Sequence, residues 1–180
     1  MLSHCAVAAP AASPAASNDA KDPNTAARQE VLKGFARTLA GDHDKAIEFY
    51  TKAVELDPLY ARAYDFRGAA RVKKGELDKA VEDFSKAISI YPDYPDYMDV
   101  YYSRGNVYIK KGLFALAIDD FTKAIALKSD YAGAFHGRAM AYKGNGLHAL
   151  AAEDFKTACK MGLTQACDAA KGVIPRKGVK

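Results

Sequence analysis

The side chains best suited to chemistry are four histidines, His4, His43, His136 and His148, and three cysteines, in a chain of 180 residues. Metal sites draw such ligands from short, regular spacings. None of the histidines stands at such a spacing from a cysteine or a carboxylate. The adjacent acids Asp119-Asp120 and Glu153-Asp154 offer paired carboxylates, but neighbours on a helix point to different faces, and a solvated role suits them better. No glycine-rich phosphate loop, nucleophile elbow or zincin pattern is present, and no strand is expected. The chain therefore presents no catalytic residues, no metal ligands and no cofactor set. A hydrolase without a recognisable motif is the remote alternative.

What the chain does carry is periodic charge. Arg67, Arg104 and Arg138 share a column, as do Asp83, Asp120 and Asp154. Pairing between helices is expected, at about 0.2–1 kcal/mol for each pair if exposed. Behind them lies a longer repeat. Asp78 to Pro92 reads DKAVEDFSKAISIYP, and related copies run from Asp44 to Pro58, Ala115 to Ser129 and Ala149 to Leu163. Ala46, Ala80, Ala117 and Ala151 form one column. Tyr50, Phe84, Phe121 and Phe155 form a second, and Ala53, Ala87, Ala124 and Ala158 a third; each steps by 34, 37 and 34 residues. The columns stand at i, i+4 and i+7, one stripe of a helix. Small residues there admit a neighbouring helix to about 8–10 Å, with the ring filling the space between.

A partner helix precedes each copy. Its small column is Gly34, Gly68, Gly105 and Ala139, flanked by Tyr64, Tyr101, Tyr108, Phe135 and Tyr142. Glycine inside a helix costs about 1 kcal/mol against alanine, so a crossing too close for a Cβ is expected there. Gly41, Gly75, Gly112 and Gly146 end the first helix at one phase, and Pro58 and Pro92 follow the second.

These columns resemble the tetratricopeptide repeat, in its bacterial form, over residues 27–163. The resemblance implies an all-α superhelix, a solenoid of four helix-turn-helix repeats at about 27–60, 61–94, 98–131 and 132–163, with a short capping helix at 164–171. Glu30 and Arg37 replace aromatics in the first repeat, Ser129 and Leu163 replace proline later, and three extra residues separate repeats two and three. Cys159 and Cys167 resemble the cysteine pairs that staple adjacent helices in Sel1-like repeats. That resemblance implies a disulfide worth about 2–3 kcal/mol in an oxidising compartment; two buried thiols are the other reading.

In such a solenoid the second, fifth, ninth and twelfth columns of each first helix line the concave wall. They are Arg28, Val31, Phe35 and Thr38, then Arg62, Asp65, Ala69 and Val72. Asp99, Tyr102, Asn106 and Ile109 follow, then Gly133, His136, Met140 and Lys143. From these, Arg62, Asp65, Tyr102, Asn106, His136, Met140 and Lys143 are the candidate peptide-binding residues. The Asn106 amide is suited to bracketing a peptide backbone with one donor and one acceptor. Members that clamp chaperone C-termini carry Lys and Asn, then Asn, then Lys and Arg, and neither register of this chain supplies them. The implied function is a non-enzymatic scaffold binding a protein segment; a self-associating envelope protein is the alternative.

The net charge of +4 divides unevenly. Residues 1–24 carry −1 and residues 171–180 carry +4, leaving +1 for the body between. A near-neutral body argues against nucleic-acid binding. No apolar run is long enough to span a membrane. Residues 1–24 read as a disordered leader or a signal remnant, since Ala6-Val7-Ala8 before Ala9-Pro10 fits a cleavage site and export to the periplasm is expected. Residues 172–180 read as a basic tail. Tyr91-Pro92-Asp93-Tyr94-Pro95-Asp96-Tyr97 is the irregular loop, whose rings are expected to cover the gap between repeats, with Pro95 or Asp96 opening the next helix.

Overall fold

Gly41, Gly75, Gly112 and Gly146 adopt φ of 76°, 78°, 72° and 78° in the computed structural model, which describes residues 23–92 and 97–173. Side chains with a Cβ avoid this left-handed region. The residue after each glycine donates its N–H five residues back: Asp42 to Arg37, Glu76 to Arg71, Leu113 to Tyr108 and Leu147 to Tyr142, at 2.8–3.0 Å. This bond satisfies a helix-end carbonyl and turns the chain back.

Nine helices follow among the described residues: α1 Pro23–Leu39, α2 His43–Leu56, α3 Ala61–Lys74, α4 Leu77–Ile90, α5 Met98–Lys110, α6 Phe114–Leu127, α7 Ala132–Gly144, α8 His148–Lys160 and α9 Thr164–Val173. They pair as α1–α2, α3–α4, α5–α6 and α7–α8, and α9 packs on α8. The odd-numbered helices also touch one another in the order α1, α3, α5, α7. Side-by-side contact among them places them on the inside of the curve. The expected all-α superhelix is the one observed. Helix α5 opens at Met98; Pro95 and Asp96, expected to open it, lie outside the described residues, as do the leader through residue 22 and the tail from residue 174.

The three columns form the core. Both alanine columns are 0% exposed, and Tyr50, Phe84, Phe121 and Phe155 are at most 1% exposed. The close crossing expected at the small column is present. A Cβ on Gly34 would stand 2.6 Å from the Tyr50 ring, one on Gly68 2.9 Å from Phe84 and one on Gly105 3.0 Å from Phe121. Phe121 is gripped from its other side as well, because a Cβ on Gly137 of α7 would lie 2.5 Å from the same ring. Tyr50 alone in its column has a hydroxyl, 3.0 Å from Thr38 Oγ1. Thr38 donates its own proton to the Gly34 carbonyl, so Tyr50 is the donor between them.

The Arg–Asp columns pair, but not as exposed ions. Arg67 donates to Asp83, Arg104 to Asp120 and Arg138 to Asp154, from Nε and Nη2 to the carboxylate at 2.7–3.1 Å. Asp83, Asp120 and Asp154 are 2%, 4% and 7% exposed, so the exposed-pair value does not apply to them. Each arginine also reaches from Nη1 to a hydroxyl on the second helix of the preceding repeat: Thr51, Ser85 or Thr122. One guanidinium thus locks its own helix pair and ties it to the previous pair. The first repeat has Lys33 and Phe49 at these positions.

Candidate binding groove

The first helices of the repeats form the inner wall, and an opening lies between α3 and α5. A cleft of about 940 Å³ is lined there by Asp57, Leu59, Tyr60, Arg62, Asp65, Phe66, Tyr91, Tyr97, Asp99 and neighbouring Ala61 and Val100. Of the candidate residues, Arg62 and Asp65 line it. Tyr102, Asn106, His136, Met140 and Lys143 lie farther along, on α5 and α7.

Asp65 is the electrostatic centre. Burial, with the nearby Asp99 charge, pushes its pKa from 3.8 up to about 6, while Arg62 pulls it down. Asp99 Oδ1 accepts a hydrogen bond from the Tyr131 hydroxyl at 2.7 Å. Burial, then that bond to a carboxylate, pushes the Tyr131 hydroxyl's pKa far up, so it stays protonated and donating. Tyr131 precedes α7, and its ring lies 5.1 Å from that of Tyr102, which in turn meets Phe121 at 5.7 Å. Tyr102 is accordingly half-buried, its ring laid against the core.

Asn106 does not offer the full bracket expected of it. Its Nδ2 donates to the carbonyl of Tyr102, 3.0 Å away on its own helix. His136 lays its ring edge-on to Phe155 at 5.4 Å, and burial lowers its pKa, which keeps it neutral at pH 7. Met140 is 43% exposed, and Lys143 is exposed at the far end. In the first repeat the expected wall is only partial, with Arg28 and Phe35 exposed and the other two positions turned inward. Val31 is 5% exposed within the core, and Thr38 is turned to Tyr50. Helix α1 keeps the phase of the other first helices, with Ala27 buried like Ala61 and Gly34 set against Tyr50 as Gly68 is against Phe84, and Leu32 and Leu39 are left 68% and 75% exposed.

The sequence singles out neither Tyr60 nor Tyr131, and Tyr97 only as a ring of the irregular loop. Each immediately precedes a first helix, at N-cap. Their steps of 37 and 34 residues match the core columns, so the same subtraction could have found them. In the irregular loop, Tyr97 is 9% exposed and Tyr91 is 55% exposed, with their rings 6.5 Å apart. Tyr101 anchors the loop's start by donating to the Pro92 carbonyl at 3.1 Å. At the other end of the molecule the Sγ atoms of Cys159 and Cys167 are at bonding distance, joining α8 to α9. Among the described residues, no helix is long and apolar enough to cross a membrane.

Comparison with known proteins places the architecture. Family models for the TPR repeat match residues 68–112, and for the tetratricopeptide repeat residues 99–131 and 31–58. A crystal structure of MamA is similar at 31% identity and a TM-score of 0.72, over 81% of this chain and 82% of that one. The TPR domain of Arabidopsis OM64 aligns at 26% identity and 0.63, over 67% and 98%. YrrB, described as a TPR protein with an unusual peptide-binding site, aligns at 24% identity and 0.72, over 82% and 75%, which speaks to the fold alone. No curated protein sequence matches. The chain belongs to the tetratricopeptide-repeat family. Its repeats and its structural neighbours are those of protein-interaction scaffolds.

Proposed function

We propose that this chain holds an extended segment of a partner protein along the wall formed by α3, α5 and α7. The observation that carries the reading is the open cleft of about 940 Å³ at α3–α5, with the half-buried Tyr102, Asn106 and His136 farther along the first helices. A preformed, mostly apolar concavity with a few fixed polar groups is what peptide recognition requires. Affinity capture from the source cells with wild type and with Tyr102→Ala/Asn106→Ala tests it. At least a tenfold loss of the partner is expected, and equal capture would refute the groove.

Self-association is the second reading. Leu32, Phe35 and Leu39 on α1 are 68%, 45% and 75% exposed. Leu113, Leu116, Leu147 and Leu150 form an exposed row where the earlier repeats have the ion-pairing Asp42/Lys45 and Glu76/Lys79. Sedimentation over a concentration series decides, since a strict monomer removes this reading. We also propose that the protein is exported and that Cys159 and Cys167 are oxidised in place. The proximity of the two thiols supports this, and fractionation with thiol counting under denaturing conditions tests it.

A further inference from the structure

Resting on the groove reading, we propose that the α3–α5 cleft selects a basic segment, with an arginine or lysine side chain entering between Asp65 and Asp99 among the rings of Tyr60, Phe66 and Tyr97. The lining supplies three carboxylates, Asp57, Asp65 and Asp99, against one guanidinium, Arg62. Asp57 accepts the Leu59 N–H, and Asp99 accepts the Tyr131 hydroxyl. Among the described residues none of the three carboxylates has a cationic nitrogen within ion-pairing distance, whereas the buried Asp83, Asp120 and Asp154 each hold an arginine. A cleft walled by rings and left with a net negative charge is complementary to a cation. Acidic segments would be repelled there.

The molecule's own interior shows what such a combination holds. Arg104 sits on the Asp120 carboxylate with the Tyr101 and Tyr108 rings 5.8 and 5.7 Å away. Arg138 sits on Asp154 with Phe135 and Tyr142 at 5.5 and 5.7 Å. Carboxylate and ring faces together favour a guanidinium through charge-assisted hydrogen bonds and cation–π attraction. The cleft gathers the same groups around open space.

Random dodecapeptides displayed on phage and selected on the full-length chain provide the test. Each enriched peptide is then measured against Asp65→Asn/Asp99→Asn, against the exposed single variant Asp99→Asn, and against Tyr102→Ala/Asn106→Ala. The expected result is enrichment of arginine- and lysine-bearing peptides. Their affinity should fall at least tenfold in the double Asp variant and several-fold in Asp99→Asn, with cooperative unfolding kept and no loss of melting temperature, and weaken with added salt. Neutral or acidic peptides that lose binding in Tyr102→Ala/Asn106→Ala but not in the Asp variants would overturn the cationic seat and leave the groove standing. If no peptide responds to any of these substitutions, both readings fall.

Discussion

Replacing Arg104 with alanine tests whether the repeats are locked by desolvated charge. The guanidinium donates to Asp120 from Nε at 2.8 Å and from Nη2 at 2.7 Å, and to Ser85 from Nη1 at 2.8 Å. Asp120 is 4% exposed. Its pKa is held above the ordinary carboxylate value, because burial outweighs the hydrogen bond and the charge of Arg104. Removing the arginine strands a buried carboxylate, which costs about 3–5 kcal/mol, against about 0.2–1 kcal/mol for an exposed pair. Two controls separate the causes. Since burial already dominates at Asp120, Arg104→Met/Asp120→Leu should return to wild-type stability or exceed it by about 1–4 kcal/mol. The deficit of Arg104→Ala should also shrink toward pH 5, where the stranded acid takes up a proton. Urea unfolding at pH 7.5 and pH 5 reads all three proteins. A loss below about 1 kcal/mol for Arg104→Ala, or a double variant as unstable as the single, would refute the lock.

Asp65→Asn should stabilise the protein at pH 8 and not at pH 4. The folded pKa of about 6 lies above the ordinary 3.8, so wild type gains stability as pH falls through 6 and has the full gain by about 4. The difference is at most about 3 kcal/mol, and partial solvent access reduces it to about 1–2; equal effects at both pH values in urea titrations would contradict the buried environment. Gly137→Ala should lower stability by about 1–3 kcal/mol by driving a methyl onto the Phe121 ring, more than the roughly 1 kcal/mol that alanine returns in helix propensity. A raised melting temperature would show that the ring yields. Cys159→Ser/Cys167→Ser should cost about 2–3 kcal/mol in the oxidised protein, and reductant should cost wild type the same and the variant nothing. Identical denaturation of wild type with and without reductant would show that the bond is absent.

Much of the fold was legible because each column reports one packing demand. An alanine at 0% exposure next to a ring at 1% leaves little freedom of residue type, so Ala46, Tyr50 and Ala53 announce themselves by recurrence. The first repeat was less legible because its residue types depart from the columns. Helix α1 keeps the common phase but carries a buried Val31 where the other first helices carry Asp65, Tyr102 and His136, and it leaves Leu32 and Leu39 exposed. The wall was legible as a set of positions but not as a set of free groups. Whether Asn106 spends its amide on the Tyr102 carbonyl, or Tyr131 its hydroxyl on Asp99, depends on rotamers that spacing does not encode.

The cleft coincides with an interruption of the period. Successive columns step by 34 residues except between repeats two and three, where they step by 37. That is where Tyr91 and Tyr97 flank the longer connection, and both line the cleft that α3 and α5 leave open. Tyr97 stays in the core at 9% exposure, while Tyr91 is 55% exposed. The cleft thus lies where the period is interrupted, and Asp57, Asp65 and Asp99 outnumber Arg62 in its lining. Shortening the connection by three residues, to the step of the other repeats, is expected to preserve cooperative unfolding and helical content while reducing peptide binding at least tenfold. Circular dichroism and anisotropy measured on the same preparation would show this, and undiminished binding would detach the recognition surface from the interruption.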